Sequence, residues 1–384
     1  MTEGRQSGCA SAAVGNDDGD LERLRRAIDA LDCALLERLN ERARLVREIG
    51  RLKAGRGTPV YDGDREREIV ERLAAANPGP FPSAALAHVF REVISATRSL
   101  EAPVRVAYLG PEGTFCHHAS RRRFGALADF RPERSIAEVV AAVERGRADF
   151  GVIPVENTTE GVVTQALDTL AESGLSACGE VLLRVSHNLL SRSGRRGDVR
   201  RVASHPQPLA QCREWLEREL PGVERVETPS TAAAARLALE DPGVAAIASA
   251  LAAEVYGLQT VEEAIEDRRD NTTRFLVVGR QQPGPTGDDL TSAVFTVRKD
   301  ESGALHRLLE PFARHGVNLT AIHCRPMKGK PWEYLFFVDM EGHREDERVA
   351  KALGEAAQRS FSHRVLGSFA RAAARPRPGE PEAG

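Results

Sequence analysis

The sequence predicts a multidomain chain: an all-α three-helix unit, then an α/β unit, then a small α+β unit of ferredoxin-like order. Three observations carry this. Apolar residues recur at threes and fours from Leu21 to Leu52, the spacing of one long amphipathic helix. At Pro103 that spacing gives way to short apolar strands alternating with helical stretches, which means an α/β layer structure. After a Pro/Gly-rich linker at 281–289 the order becomes β-α-β-β-α-β.

At roughly 150 residues per domain, 384 residues make two or three domains. Lys+Arg number 53 against 56 Asp+Glu, a net charge of −3, which makes no whole-chain case for nucleic acid or an anionic membrane. No apolar run approaches the ~20 residues of a membrane span, and the first twenty residues lack the apolar core of a signal peptide. Cys9, Cys33, Cys116, Cys178, Cys212 and Cys324 are scattered without a Cys-x-x-Cys pair. That argues against a disulfide framework and a zinc site, and it fits a reducing, cytoplasmic setting.

Residues 1–19 are Gly/Ser/Asp-rich with nothing to bury, so a disordered segment is expected there, and likewise over the tail 375–384. The first helix, 20–54, would be ~50 Å long. A unit of about 80 residues is too narrow to cover its stripe, and a partner chain is the natural cover. Helices at 62–76 and 83–100 follow, broken apart by Asn77, Pro78, Gly79 and Pro80. In the second unit 104–109 is a strand, 110–115 a loop before a helix, and Ser135 with Glu138 a capping box. A strand at 149–154 and a helix at 162–173 follow, then strands near 181–190, 201–204, 223–227, 244–249 and 274–279. The third unit reads strand 292–298, helix 303–314, strands 317–325 and 332–340, helix 345–358, strand 363–369.

Four cations lie in or beside the first apolar stripe or just after it: Arg25, Arg42, Lys53 and Arg65. A single helical arginine is ordinarily a solvated side chain. As a spaced set, with Asp62 and Glu66, they make residues 20–101 resemble the all-helical type of chorismate mutase, whose helices interlock as a homodimer. Chorismate is a dicarboxylate that rearranges by an intramolecular pericyclic shift. Its enzyme holds the reactive conformer and stabilises charge on the ether oxygen, and arginine forks suit carboxylates. The resemblance implies that Arg42 and the partner subunit's Arg25 clamp the carboxylates. Lys53 donates to the ether oxygen, and Asp62 and Glu66 hold the hydroxyl with Arg65 nearby. Thr97 takes a position often filled by Ser. Glu101 matches a second ether-oxygen donor that is Gln in some members, and a carboxyl there donates only when protonated.

In the α/β unit, polar clusters follow strands, where such folds place ligands. They are Gly110 to Phe115, Pro154 to Gly161, Ser204-His205-Pro206-Gln207 to Gln211, and Asn271-Thr272-Thr273-Arg274-Phe275. None is a Gly-x-Gly-x-x-Gly fingerprint or a P-loop, so neither a dinucleotide nor ATP is indicated. Together they make residues 104–280 resemble prephenate dehydratase, a family with two α/β lobes like type II periplasmic binding proteins and its site in the cleft. Loss of carbon dioxide and hydroxide aromatises the ring, so no metal or organic cofactor is required. The resemblance implies Thr273 as donor at the leaving hydroxyl, and Asn157, Ser204 and Gln211 orienting substrate. Arg274 would hold a carboxylate, Glu156 would organise its loop at the substrate, and Thr114 would line the cleft. The adjacent His117 and His118 point in two directions on a helix and chelate poorly.

Glu301 to Leu305 at a helix start, with Gly316-Val317-Asn318-Leu319 before a strand, make residues 290–371 resemble an ACT domain. Such domains pair edge to edge and bind an amino acid between copies. The amides of Gly303, Ala304 and Leu305 suit a ligand carboxylate, with Asn318 beside them, and phenylalanine is the effector implied. The usual Glu-Ser-Arg-Pro element reads His323-Cys324-Arg325-Pro326. Over 20–371 the chain thus resembles the bifunctional bacterial P-protein family, carrying chorismate through prephenate to phenylpyruvate as a homodimer or higher homo-oligomer, with no nucleic-acid partner. An arogenate dehydratase and a non-catalytic amino-acid sensor are the alternatives.

Overall fold

The computed structural model describes residues 17–54, 61, 63–101, 103–297, 302–327 and 334–372. The chain divides into two compact units, Met1–Val60 and Tyr61–Gly384. Among the described residues the first holds one helix, α1 (Asp17–Ala54), whose 38 residues span about 57 Å. It begins three residues earlier than expected. The rest of the expected N-terminal disordered segment, and the expected tail at 375–384, lie outside the described residues. The apolar stripe of α1, from Leu21 through Leu31 to Leu52, is exposed.

In the second unit α2 (Gly63–Ala75) and α3 (Ser83–Arg98) pack on each other. Tyr61 sits 5.1 Å from Phe124 and 5.0 Å from Phe150, centroid to centroid. Arg98 lies over the Tyr61 ring, donates to the Phe124 carbonyl at 2.6 Å and pairs with Glu66. Gly125 (φ +77°) brings the backbone so close to Ser95 that a Cβ would collide with its side chain. The division into compact units falls between Val60 and Tyr61.

A first lobe comes next: β1 (Arg105–Leu109), α4 (Phe115–Phe124), β2 (Asp129–Glu133), α5 (Ile136–Glu144), β3 (Phe150–Asn157), the short β4 (Gly161–Val162), α6 (Thr164–Glu172) and β5 (Ser176–Arg184). The chain then crosses into a second lobe: β6 (Asn188–Ser191), β7 (Arg201–Ser204), α7 (Pro206–Gln211), α8 (Arg213–Glu219), β8 (Glu224–Glu227), α9 (Thr231–Glu240), β9 (Val244–Ala248), α10 (Ala250–Tyr256) and β10 (Gln259–Glu262). It returns as β11 (Thr272–Gly279), which pairs antiparallel between β3 and β5. Sheet orders are β2-β1-β3-β11-β5, with β4 beside β3, and β10-β6-β9-β7-β8.

The strand expected at 181–190 is therefore two strands in two sheets, broken at the first crossing. There the Val185 N–H donates to the Asn271 carbonyl at 2.9 Å, tying the outward crossing to the return. Periodicity gives no sign of β2 and β10; both lie at sheet edges and carry charged residues that mask the apolar pattern.

The third part is β12 (Asp289–Val297), α11 (Ala304–Arg314), β13 (Leu319–Pro326), β14 (Tyr334–Glu341), α12 (Glu347–Gln358) and β15 (Ser362–Ala370), in sheet order β13-β14-β12-β15. That is the expected β-α-β-β-α-β order. One sheet face is covered by α11 and α12 through Leu308, Phe312 and Val349. The other shares a core with the first lobe: Val294, Phe337 and Phe369 join Ile153, Leu170 and Leu276.

Candidate active sites

Strand pairing makes the first constellation. β11 lies beside β3 with Thr273 opposite Asn157 and Arg274 opposite Glu156. Side chains alternate along a strand, so the first pair faces one way and the second the other. Asn157 Oδ1 accepts from the Thr159 and Glu160 amides at 2.9 and 3.0 Å. Its Nδ2 must then point back across the strands, where it donates to Thr273 Oγ1 and to Asn271 Oδ1, both at 2.8 Å. Asn271 Nδ2 lies 3.4 Å from Gln211 Oε1, which bonds His187 Nε2 at 2.8 Å. Burial lowers the His187 pKa below its ordinary value, so the ring is neutral at pH 7 and Nε2 carries the proton toward Gln211.

The result is a chain of polar groups, Thr273–Asn157–Asn271–Gln211–His187, running from the first lobe to the second across the paired crossings. Thr273 accepts within it, so its own hydroxyl proton is free to be donated. Beside it opens a cleft of about 680 Å³ lined by Thr159, Gln207, Gln211 and Asn271.

The structure turns other expected substrate contacts away from this cleft. Arg274 pairs with Glu180 at 2.8 Å on β5 and with Asp339 on β14, on the face opposite Thr273. Burial alone lowers its pKa, but the Asp339 and Glu180 carboxylates hold the guanidinium above its ordinary value. Glu156 follows Arg274: with His323 and Asp339 it lines a small cavity against the third part of the chain. Ser204 is fully buried and donates to the Ile247 carbonyl at 2.7 Å, leaving no surface for a substrate. Thr114 caps α4, its hydroxyl engaged by the Pro111 and Leu109 carbonyls at 3.0 and 3.2 Å. Cys116 and Cys212 are buried and their thiols pushed up, to about 12 for Cys116, so neither is a nucleophile at neutral pH.

Two members of the polar chain lie outside the site residues expected from sequence. Asn271 stands one residue before the Thr-Thr-Arg run, and its place in a motif is visible. His187 could suggest a metal ligand or general base from sequence, but an isolated histidine in an expected strand reads first as a core or surface ring.

On α1, Arg42 and Lys53 are eleven residues apart, about three turns, and share a face. Arg25 precedes Arg42 by seventeen, about 100° around the axis and about 25 Å along it. Arg25 pairs with Glu22 at 2.9 Å, and Arg42 is half-buried. The Lys53 side chain and Asp62 lie outside the described residues. In the other unit, Arg65 is exposed and pairs with Glu68 at 2.9 Å, whereas Glu66 pairs with Arg98. The Thr97 hydroxyl donates to the Val93 carbonyl of its own helix at 2.8 Å. Glu101 follows α3 half-buried, its amide donating to the Arg98 carbonyl at 2.9 Å.

Gly303 (φ +74°) opens α11, with Ala304 and Leu305 in its first turn and Leu305 exposed. Asn318 lies beyond the far end of that helix, about 16 Å along the axis. Arg325 pairs with Asp168 of α6 at 2.8 Å and donates to the Thr164 carbonyl at 2.8 Å. No helix among the described residues is long and apolar enough to cross a membrane.

Comparison with known proteins places families on these parts. The profile of chorismate mutase type II matches residues 24–102, that of prephenate dehydratase 106–283, and that of the ACT domain 291–358. A bifunctional chorismate mutase/prephenate dehydratase of Aquifex aeolicus (strain VF5) is 47% identical over 357 residues, 92% of this chain and 98% of the relative. The solved prephenate dehydratase of Arthrobacter aurescens, in complex with L-Phe, is 37% identical with a TM-score of 0.65, covering 71% of this chain and 94% of its own. A structure described as GqqA, a novel type of quorum quenching acylase, is 33% identical with a TM-score of 0.64, covering 70% and 98%. The fold alone therefore does not name the chemistry.

Proposed function

The chain belongs to the bifunctional chorismate mutase/prephenate dehydratase family, and on that premise we propose how its own residues carry the two reactions. It rearranges chorismate to prephenate and converts prephenate to phenylpyruvate, carbon dioxide and water.

The observation that carries the dehydratase reading is the donor direction at Thr273. Asn157 Nδ2 donates to Thr273 Oγ1 at 2.8 Å, and its own oxygen is held by two backbone amides. The Thr273 hydroxyl, accepting there, keeps its own proton for the hydroxyl that leaves the ring. The electron pair of the breaking bond to carbon dioxide flows into the ring as that hydroxyl departs. A donor at the departing oxygen stabilises charge where it develops. Asn271 and Gln211 orient the substrate in the cleft, with neutral His187 holding the Gln211 amide. Thr273→Val keeps the side-chain shape and removes the donor. With chorismate supplied to the purified chain, this variant should accumulate prephenate, with phenylpyruvate formation down about 10²–10⁴-fold and the mutase rate unchanged. Undiminished phenylpyruvate would end the assignment. Activity on arogenate with none on prephenate would move the substrate to the amino analogue.

For the mutase, the wheel positions on α1 support one clamp from Arg42 and Lys53, which share a face. Arg25, a quarter turn and about 25 Å away, serves a second copy's site. A second copy also covers the apolar stripe that α1 exposes. We assign Asp62, Arg65 and Glu66 to the substrate hydroxyl, Thr97 to the wall, and a protonated Glu101 to the ether oxygen. In the ACT part, Gly303–Leu305 and Asn318 lie at opposite ends of α11, so one phenylalanine touches both sets across two copies. A cytoplasmic setting is part of the reading, supported by Cys33, Cys116, Cys178, Cys212 and Cys324, all free.

A further inference from the structure

Between α2, α3, α4 and the edge strand β5 lies a cavity of about 280 Å³ whose wall carries Arg67, Arg91, Arg122, Arg123 and Arg371. Two carboxylates share the wall, and both are engaged elsewhere: Glu66 by Arg98, Glu180 by Arg274 and by the Ala372 amide at 2.9 Å. Arg67 pairs with Glu71, and Arg371 with Glu341. Arg91, Arg122 and Arg123 have no carboxylate within ion-pair distance among the described residues.

Arg123 is held where a ligand would need it. Its guanidinium lies over the Cα positions of Gly63 and Gly179, where an added Cβ would come within 2.8 and 3.3 Å of Nη2. Its Nε is buried with no hydrogen-bond partner. Burial, then the charges of Arg122 and Arg123, hold the Arg91 guanidinium below its ordinary pKa, so the cluster repels itself. Val70 and Ile94 add apolar wall beside the cations.

We propose that this cavity, which borders the mutase residue Glu66, is an anion site separate from the Arg42 and Lys53 clamp and from Thr273, taking a compact dianion, either a small dicarboxylate or a phosphoryl group. Planar guanidinium forks bind such oxyanions in pairs of parallel hydrogen bonds. The volume approaches the lower end of small-molecule pockets, about 300 Å³. A bound dianion would also cancel the repulsion among the three arginines.

The test titrates the full chain in chloride buffer by calorimetry with malonate and, separately, inorganic phosphate. Wild type is compared with Arg91→Gln, Arg123→Gln and the exposed Arg122→Gln, with Arg42→Gln as a control in the mutase clamp. One saturable site per chain is expected, weakened about 10–100-fold by each of the first three substitutions and untouched by Arg42→Gln. Tighter binding of malonate assigns an organic acid, and tighter binding of phosphate a phosphoryl group. Without a dianion, Arg91→Gln should melt no lower than wild type, because it removes a repelled charge, and Arg122→Gln reads out the site should Arg123→Gln fail to fold. Failure of both anions to bind at millimolar concentration overturns the proposal. So does wild-type affinity in all three variants, or a drop of several degrees in the Arg91→Gln melting temperature.

Discussion

Replacing Arg274 by glutamine removes the cation between two inward-facing carboxylates. Glu180 and Asp339 side chains are 3% and 14% exposed, and the guanidinium between them 15%. Deleting one partner of a buried pair costs about 3–5 kcal/mol, because the remaining charge stays buried and unpaired. Here two acids remain, but each keeps a donor: Asp339 the Ser292 hydroxyl at 2.5 Å, Glu180 the Ala372 amide at 2.9 Å. That places the cost near the lower end, about 3 kcal/mol at pH 7. Urea unfolding of the first lobe should move down by roughly 1 M or more. Acid should relieve it. Protonation discharges an unpaired buried carboxylate, so the penalty belongs to the ionised forms and is lost in acid. The wild-type advantage should shrink steadily from pH 7 to pH 4.5. Because Thr273 is the next residue on β11, dehydratase turnover should fall in the same variant while mutase turnover holds. A loss under 1 kcal/mol at pH 7, or one indifferent to pH, would refute the view that this pair joins β11 to the C-terminal part.

Glu101→Gln should flatten the mutase pH profile between about 5 and 8, where wild type favours the acid side; superimposable profiles would remove Glu101 from the ether oxygen. His117 is nearly inaccessible and accepts the Gly113 amide at Nδ1, and burial, with Arg121 and His118, lowers its pKa to about 4. The unfolded chain then binds the extra proton first, so stability falls as pH drops from about 6.5 to 4, by roughly 3 kcal/mol in the limit. His117→Gln should remove that slope from pH-dependent unfolding. Leu31→Glu, in the exposed stripe of α1, should halve the sedimenting mass and abolish mutase turnover while leaving dehydratase turnover; an unchanged mass would remove the α1 stripe as the proposed contact between copies.

Periodicity alone located α1, α2, α3 and the β-α-β-β-α-β order of the last part, because spacing by 3.6 or by 2 is a local property that survives in any tertiary context. The run Asn271 to Phe275 likewise stands out by its residue types, and the structure places all but its first residue in β11. What no local pattern held was direction and partner. Thr273 and Arg274 are neighbours in sequence, yet β11 sends one to Asn157 and the other to Glu180 and Asp339, 94 and 65 residues away. The break of one apolar run into β5 and β6, the burial of Ser204 under Ile247, and the gathering of Arg91, Arg122 and Arg123 around one cavity have the same origin. Each depends on which distant segment packs alongside, and a sequence window contains only its own side of that contact.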